Sequence, residues 1–409
     1  MELWRRNLYI LWGTQFAAML GMNLVVPFLP LYIRSLGIVD PSALAMWSGV
    51  AFAGTFFAAF IATPLWGILG DRYGRKAMVV RAIVGLALSQ VFIGLAQNAF
   101  QVVVFRVVQG AISGFIASSL ALVSTNTPKH KMGYALGLLQ SSTAAAMVLG
   151  PFVGGVLADL IGYRQIFFVT ATLCGIGGIV VAATVIEADK GVRESRRYTV
   201  LENARLMLSD KHLRLVALAL VMSQMAVLMI EPLFSLFIEE FEAETEYLAT
   251  LTGGILSISG LFMVVSAPWW GHRNDRKGYR KNLTIAIGVI GVAYVCHALV
   301  TNLVQLGLLR AFLGFFRGGI LPALYSLTST HSPNDRKAGM MAIASSLTLL
   351  GNTIGPPLGG FISGHVGMSA SFVINGAFLL TLSWILYRNL YDPQPVPLHA
   401  TKEVAEEQA

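Results

Sequence analysis

Twelve times along its 409 residues the chain runs for about twenty residues or more on predominantly apolar side chains, and no shorter list of facts constrains its fold as strongly. A helix crossing the hydrocarbon core of a bilayer needs about 20 such residues, so each run is long enough to span. The runs cover residues 7–33, 44–70, 78–96, 100–125, 133–159, 164–186, 213–238, 248–271, 282–300, 303–329, 338–364 and 369–390. The longest connection, about 187–212, is rich in charge and divides the spans six and six. The expected architecture is therefore an all-α membrane protein of 12 transmembrane helices. Residues 1–188 form one six-helix bundle, 189–211 a cytoplasmic linker, 212–390 a second bundle and 391–409 a tail.

Composition excludes the obvious competitors. With 55% hydrophobic and 12% charged residues the chain cannot coat soluble domains, whose charged share is about 25%. Disorder needs the opposite balance of low hydrophobicity and high charge. The formal net charge of +8 does not indicate nucleic acid, because the basic residues sit in short loops between apolar runs instead of clustering with stacking aromatics. Cys174 and Cys296 fall in different halves inside apolar segments and read as packing residues. The start, Met1-Glu-Leu-Trp-Arg-Arg-Asn7, runs into the first span without a small-residue cleavage site and is expected to be retained.

Position explains most of that charge. If the N-terminus is cytoplasmic, 24 of the 29 Lys and Arg residues fall on the cytoplasmic side and only Arg34 and Arg164 on the other. Such a bias sets topology, so both termini are expected in the cytoplasm. Arg106, Arg310 and Arg317 remain inside spans.

The chain also repeats itself. A shift of about 204 residues brings Pro27-Phe-Leu-Pro-Leu-Tyr-Ile33 onto Pro232-Leu-Phe-Ser-Leu-Phe-Ile238, and Arg106-Val-Val-Gln109-Gly110 onto Arg310-Ala-Phe-Leu-Gly314. The same shift carries Gly67-Ile-Leu-Gly-Asp71-Arg72-Tyr-Gly74-Arg75-Lys76 onto Gly271 to Lys281, with Asp275-Arg276 at the matching acid and base. Gly150-Pro151-Phe-Val-Gly154-Gly155 meets Gly355-Pro356-Pro-Leu-Gly359-Gly360. Four matches in one order identify a duplication, and duplicated six-helix halves are a common build of secondary transporters, with the substrate between them near the bilayer midplane.

These motifs resemble the major facilitator superfamily over essentially the whole chain, and its twelve-span bacterial drug:proton antiporters in particular. The resemblance implies two pseudo-symmetric bundles rocking about a central cavity in the inner membrane. It implies that Asp71, with Gly67, Arg72, Arg75 and Lys76, gates the cytoplasmic side by pairing across to a neighbouring helix, with Asp275 and Arg276 as the repeat copy. Gly137, Gly150, Pro151, Gly154 and Gly155 match an antiporter signature that accompanies export, with Ala146 standing where the pattern has an intermediate glycine. Arg106 matches an arginine linked to proton coupling through a polar network, here with Gln109.

Glu231 is singled out by chemistry alone. It follows Met225-Ala-Val-Leu-Met-Ile230 and precedes Pro232, and a carboxylate inside a span is costly enough to imply a role. Coupling to protons is one reading; the other is a structural carboxylate, paired with an arginine or sitting in water near the outer mouth, since the span ends about seven residues later. Pro232 frees a carbonyl and permits a local break beside it. Arg310 and Arg317 lie two turns apart on one face of the tenth span, a surplus of positive charge that suits anionic groups. Asn23, Phe28, Tyr32, Gln140, Gln224, Met225, Phe234, Arg310, Arg317 and Tyr325 are the candidate substrate contacts.

No Walker run, metal-ligand cluster or nucleophile with a base is present, so the expectation is a transporter and not an enzyme, with no cofactor and the proton gradient as energy source. The reading is proton-coupled export of amphipathic small molecules by alternating access, with protons, substrate and the lipid bilayer as partners and a monomer as the working unit. The competing reading keeps the fold and carries an anionic siderophore or carboxylate metabolite. A membrane-embedded lipid-modifying enzyme is disfavoured for want of a polar catalytic cluster.

Overall fold

A computed structural model describes residues 2–112, 114–187, 199–240, 246–333 and 335–391, and all regular structure among them is helical. The first bundle comprises α1 (Leu3–Val25) and α2 (Leu29–Ser35), α3 (Pro41–Tyr73), α4 (Arg75–Leu95), α5 (Ala99–Ile112) and α6 (Phe115–Asn126), α7 (Met132–Ile161) and α8 (Tyr163–Thr184). A short helix, α9 (Val200–Ser209), occupies part of the linker. The second bundle repeats the order: α10 (Lys211–Ile230) and α11 (Phe234–Glu239), α12 (Leu248–Lys277), α13 (Tyr279–His297), α14 (Leu303–Arg317) and α15 (Ile320–His331), α16 (Lys337–Val366) and α17 (Met368–Asn389). Ten of the helices or consecutive pairs among the described residues are long and apolar enough to cross a bilayer. The remaining two expected spans form α13 and α16, helices of 19 and 30 residues.

Both bundles break in the same two places. In the first and seventh spans a 3-10 turn, Val26–Phe28 and Glu231–Leu233, interrupts the helix at Pro27 and Pro232. The pyrrolidine ring supplies no N–H to the ladder, so the turn tightens there. The fourth span restarts at Gly114, whose φ of +111° only glycine adopts without strain, and the tenth at Gly318 and Gly319. Pro151, Pro268, Pro356 and Pro357, by contrast, lie inside continuous helices.

Large apolar side chains cover the outside. Phe57, Ile61 and Leu65 on α3, Ile176 and Ile179 on α8 and Phe361 on α16 are all exposed, a surface compatible with lipid and not with water. Each bundle fills its own interior: Phe28, Leu29 and Tyr32 pack with Ile93 and Phe167, and Phe234, Phe237 and Tyr294 with Phe372.

The bundles meet where glycine admits backbone to backbone. A Cβ on Gly155 of α7 would collide with the Ala249 carbonyl oxygen of α12, and one on Gly360 of α16 with that of Ala45 in α3. Gly253 and Gly49 make the reciprocal approaches to the carbonyls of Pro151 and Pro356. Gly150 and Gly154 instead face α1, against Asn23 and Leu24. Without a hydrophobic force between helices in lipid, such close packing is what holds them. These contacts lie at the end of the molecule remote from Glu2 and α9, termed here the far end.

Candidate transport pathway

Polar contacts close the far end more tightly than packing alone. Arg34 at the end of α2 donates to both carboxylate oxygens of Glu239 at the end of α11, at 2.5 and 2.7 Å. Asp159 near the end of α7 accepts from the backbone N–H groups of Ala249 (3.3 Å) and Thr250 (2.8 Å) and from the Thr250 hydroxyl (2.6 Å). The carboxylate thus satisfies orphan donors at the positive end of α12 and ties one bundle to the other.

Towards the other end the bundles part. A cavity of about 440 Å³ lies between Met19 and Met22 of α1, Thr55, Phe56 and Thr63 of α3, Phe115 and Ile116 of α6, and Ser345, Thr348 and Leu349 of α16. Among the described residues no ionisable side chain lines it. Its few polar groups are hydroxyls and the Gln109 amide, which suits loosely specified apolar ligands. A second, narrow gap of about 60 Å³ lies between Asn23, Pro27, Met147 and Pro151 of one bundle and Glu231, Ser259, Met263 and Arg317 of the other.

Glu231 caps α10 and opens the 3-10 turn, and its carboxylate pairs with Arg317 at the end of α14. Their side chains are only 23% and 15% exposed, so each ion offsets the desolvation cost of the other. The pairing with an arginine is therefore present, and the same acid also borders the gap between the bundles.

Arg310, two turns earlier on α14, faces elsewhere. It is 1% exposed, its guanidinium lies 3.7 Å from the Phe234 ring centre, and its Nε and Nη2 have no hydrogen-bond partner. Arg106 is 4% exposed, donates to Gln109 at 3.3 Å and leaves the same two nitrogens unpartnered. The Gln109 side chain lines the larger cavity with its Nε2 also unpartnered, so the expected contact between the two forms as the spacing of three predicts.

The remaining candidates separate. Asn23 lines the narrow gap and donates to Met19 O at 2.8 Å. Phe28 and Tyr32 are instead buried inside the first bundle, where the Tyr32 hydroxyl donates to Ile93 O at 2.7 Å; they line neither cavity, because α2 turns inward after the Pro27 break. Gln140 is exposed on α7, Gln224 bonds Asn352 at 3.3 Å, and Met225 packs against Gly355. Phe234 covers Arg310, and Tyr325 bonds Thr348, which lines the cavity. Gly137 has no atom near its Cβ position.

The side chains of Gly67, Asp71, Arg72 and Asp275 lie outside the described residues, so the gating expectation is not settled there; Arg276 is exposed. The neighbouring turn shows a partner that sequence reasoning missed. Gly74 takes a φ of +96° at the start of α4, and Glu187, just past α8, accepts from the N–H groups of Arg75 (2.8 Å) and Lys76 (3.2 Å). The duplication carried a signal for it, since Glu187 falls in register with Asp392. Arg75 itself donates to Ala121 O at 2.7 Å.

Two duplicated helical bundles, closed at one end and parted at the other around a cavity, define a membrane transporter and not an enzyme. Residues 11–304, and again 216–408, match the family model of the Major Facilitator Superfamily. The chain belongs to that superfamily. It is 36% identical over 391 residues to Multidrug resistance protein MdtG of Proteus mirabilis, covering 94% of this chain and 96% of that protein. The protein of the same name from Escherichia coli (strain K12 / DH10B) is 34% identical over 400 residues, 96% and 97% of the two chains. Among solved structures, a bacterial homologue of the human lysosomal transporter Spinster, in an inward-facing and occupied conformation, superposes with a TM-score of 0.82 at 13% identity, covering 97% of this chain and 100% of the other. The nucleoside transporter NupG (D323A mutant) gives 0.81 at 13% identity over 94% and 100%.

Proposed function

We propose that the protein is a multidrug exporter of the cytoplasmic membrane, moving amphipathic small molecules outward by alternating access in exchange for protons. The observation that carries this reading is the 440 Å³ cavity, apolar and with no ionisable side chain among the described residues of its wall, at the end that the positive-inside bias assigns to the cytoplasm. The relatives named for multidrug resistance support the same cargo class.

The narrow gap supplies the coupling chemistry. The Glu231 carboxylate, held by the Arg317 guanidinium at the border of that gap, is the proton carrier of this reading. Proton uptake would break the pair and so bias the bundles towards their alternative packing. Arg106, polarising the Gln109 amide at the cavity wall, is positioned to connect substrate occupancy to that change.

An anionic siderophore or carboxylate cargo is the weaker reading, because Arg317 is neutralised by Glu231 and Arg310 is turned into the second bundle. Everted vesicles containing the protein, energised to an acid interior, should quench a lipophilic dye such as ethidium by accumulating it, and a protonophore should abolish the uptake. Glu231→Gln should remove the gradient dependence while the protein still inserts. Gradient-driven uptake at the wild-type rate by that variant would refute the coupling role.

A further inference from the structure

Arg310 is a buried cation whose hydrogen-bonding capacity is unused. The two nitrogens it leaves without partners, Nε and Nη2, form the side-on edge of the guanidinium, the edge that accepts a carboxylate through two parallel N–H···O bonds. The hydroxyl of Tyr294 on α13 is also buried and unpartnered, and the charges of Arg310, Arg317 and Glu231 all reach it. Three donors therefore stand unfilled in one low-dielectric pocket, an arrangement that is costly unless an acceptor visits. What occupies the arginine now is the face of Phe234, one turn after Glu231 on the same strand of chain.

We propose that Arg310 is a second seat for the Glu231 carboxylate, so that coupling moves this acid between two arginines. This deepens the proton-carrier reading given above and rests on it. Arg317 and Arg310 are seven residues apart on α14, roughly 10 Å along its axis. Glu231 meets the first and Phe234 the second, so a slide of the whole span α10–α11 past α14 by one turn, about 5 Å, brings Glu231 to the place of Phe234. The backbone N–H of Glu231 bonds Val227 O, so the acid moves together with the last turn of α10.

The two seats face different places. At Arg317 the carboxylate borders the gap between the bundles. At Arg310 it would lie nearer the far end, among Tyr294, Phe372 and His297, the last residue of α13. The charged and titratable groups around that seat are Arg310, Arg317, Tyr294 and His297; His297 keeps Nδ1 on Ala293 O at 2.7 Å and has Nε2 unpartnered. A carboxylate exchanged between the seats stays paired throughout, and its access to protons alternates without a free anion crossing the bundle. Arg310 is thus a positioning residue that acts through Glu231.

Infrared titration of the purified protein tests this without any substrate. The band of a protonated carboxyl that disappears in Glu231→Gln reports the proton affinity of Glu231. With two seats, Arg317→Gln and Arg310→Gln should each raise that affinity less than tenfold, because the remaining arginine takes the carboxylate. Arg310→Gln combined with Arg317→Gln should raise it more than a hundredfold, and Arg310→Lys in place of the glutamine should recover part of the difference. Strictly additive effects, or the whole effect from Arg317→Gln alone, would overturn the second seat and leave the proton-carrier reading intact. Absence of a titrating band in the wild type that Glu231→Gln removes would overturn both. Should Arg310→Gln not survive purification, Phe234→Leu supplies the other arm: uncovering the guanidinium should lower the proton affinity severalfold, and an unchanged titration rejects the proposal.

Discussion

Arg34 and Glu239 occupy equivalent positions in the two repeats, 205 residues apart, and pair with each other across the pseudo-twofold axis. Duplication placed one position twice beside the axis, and opposite charges turned the encounter from neutral into attractive. The bidentate geometry makes the contact directional, while exposure of 34% and 27% keeps it modest.

Reversing one charge, as in Arg34→Glu, should release this latch. The pair is worth about 1 kcal/mol, so the population with the far end closed should fall roughly fivefold, and Arg34→Glu with Glu239→Arg should restore it. Distances between spin labels on α2 and α11 report the populations. If the double reversal is as open as the single, the pair is not the latch.

The glycine contacts give a steric prediction. Gly155→Val inserts a side chain against the Ala249 carbonyl and should destabilise the closed far end by about 1–3 kcal/mol, trapping the opposite state and abolishing net transport. Gly137→Ala, which meets nothing, should transport dye like the wild type. Equal loss in both variants would mean that the motif acts through helix propensity and not through this crossing.

Glu187 caps α4 with two charge-assisted bonds at the positive helix end. Glu187→Ala should lower stability by about 1 kcal/mol, read as a lower unfolding midpoint in detergent, with Glu187→Gln intermediate. An unchanged midpoint for Glu187→Ala would show that solvent replaces the cap fully.

The linker helix carries a pH dependence. Hydrogen bonding from the Thr199 backbone and hydroxyl holds the Glu202 carboxyl below its ordinary value of 4.5. A depressed carboxyl contributes its stability above the unfolded value and loses it as pH falls through the folded one. The protection factors of the α9 amides, taken against the intrinsic exchange rate at each pH, should therefore be level near pH 6 and fall below pH 4.5, and Glu202→Ala should remove that step. The same step in the alanine variant would assign it to another group.

The sequence by itself determined the spans, the duplication and the family motifs, because apolar length and glycine spacing act locally and read directly as helices that cross and pack. It also marked Glu231, Arg106 and Arg310 as costly inside a bilayer, since burial cost depends on residue type and depth. Which arginine took the acid was open, for Arg310 and Arg317 share a helix face and differ only in what α11 and the opposite bundle set against them. Tyr32 shows the same limit: its spacing on the first span fits a cavity wall, yet the break at Pro27 turns it into the bundle to reach Ile93. The cavity itself, with Met19, Phe56 and Thr348 in its wall, exists only because two bundles closed at one end part at the other. Rigid-body placement is a property of contacts some 200 residues apart in sequence, such as Gly155 on Ala249 and Arg34 on Glu239, and no periodicity within a single span encodes it.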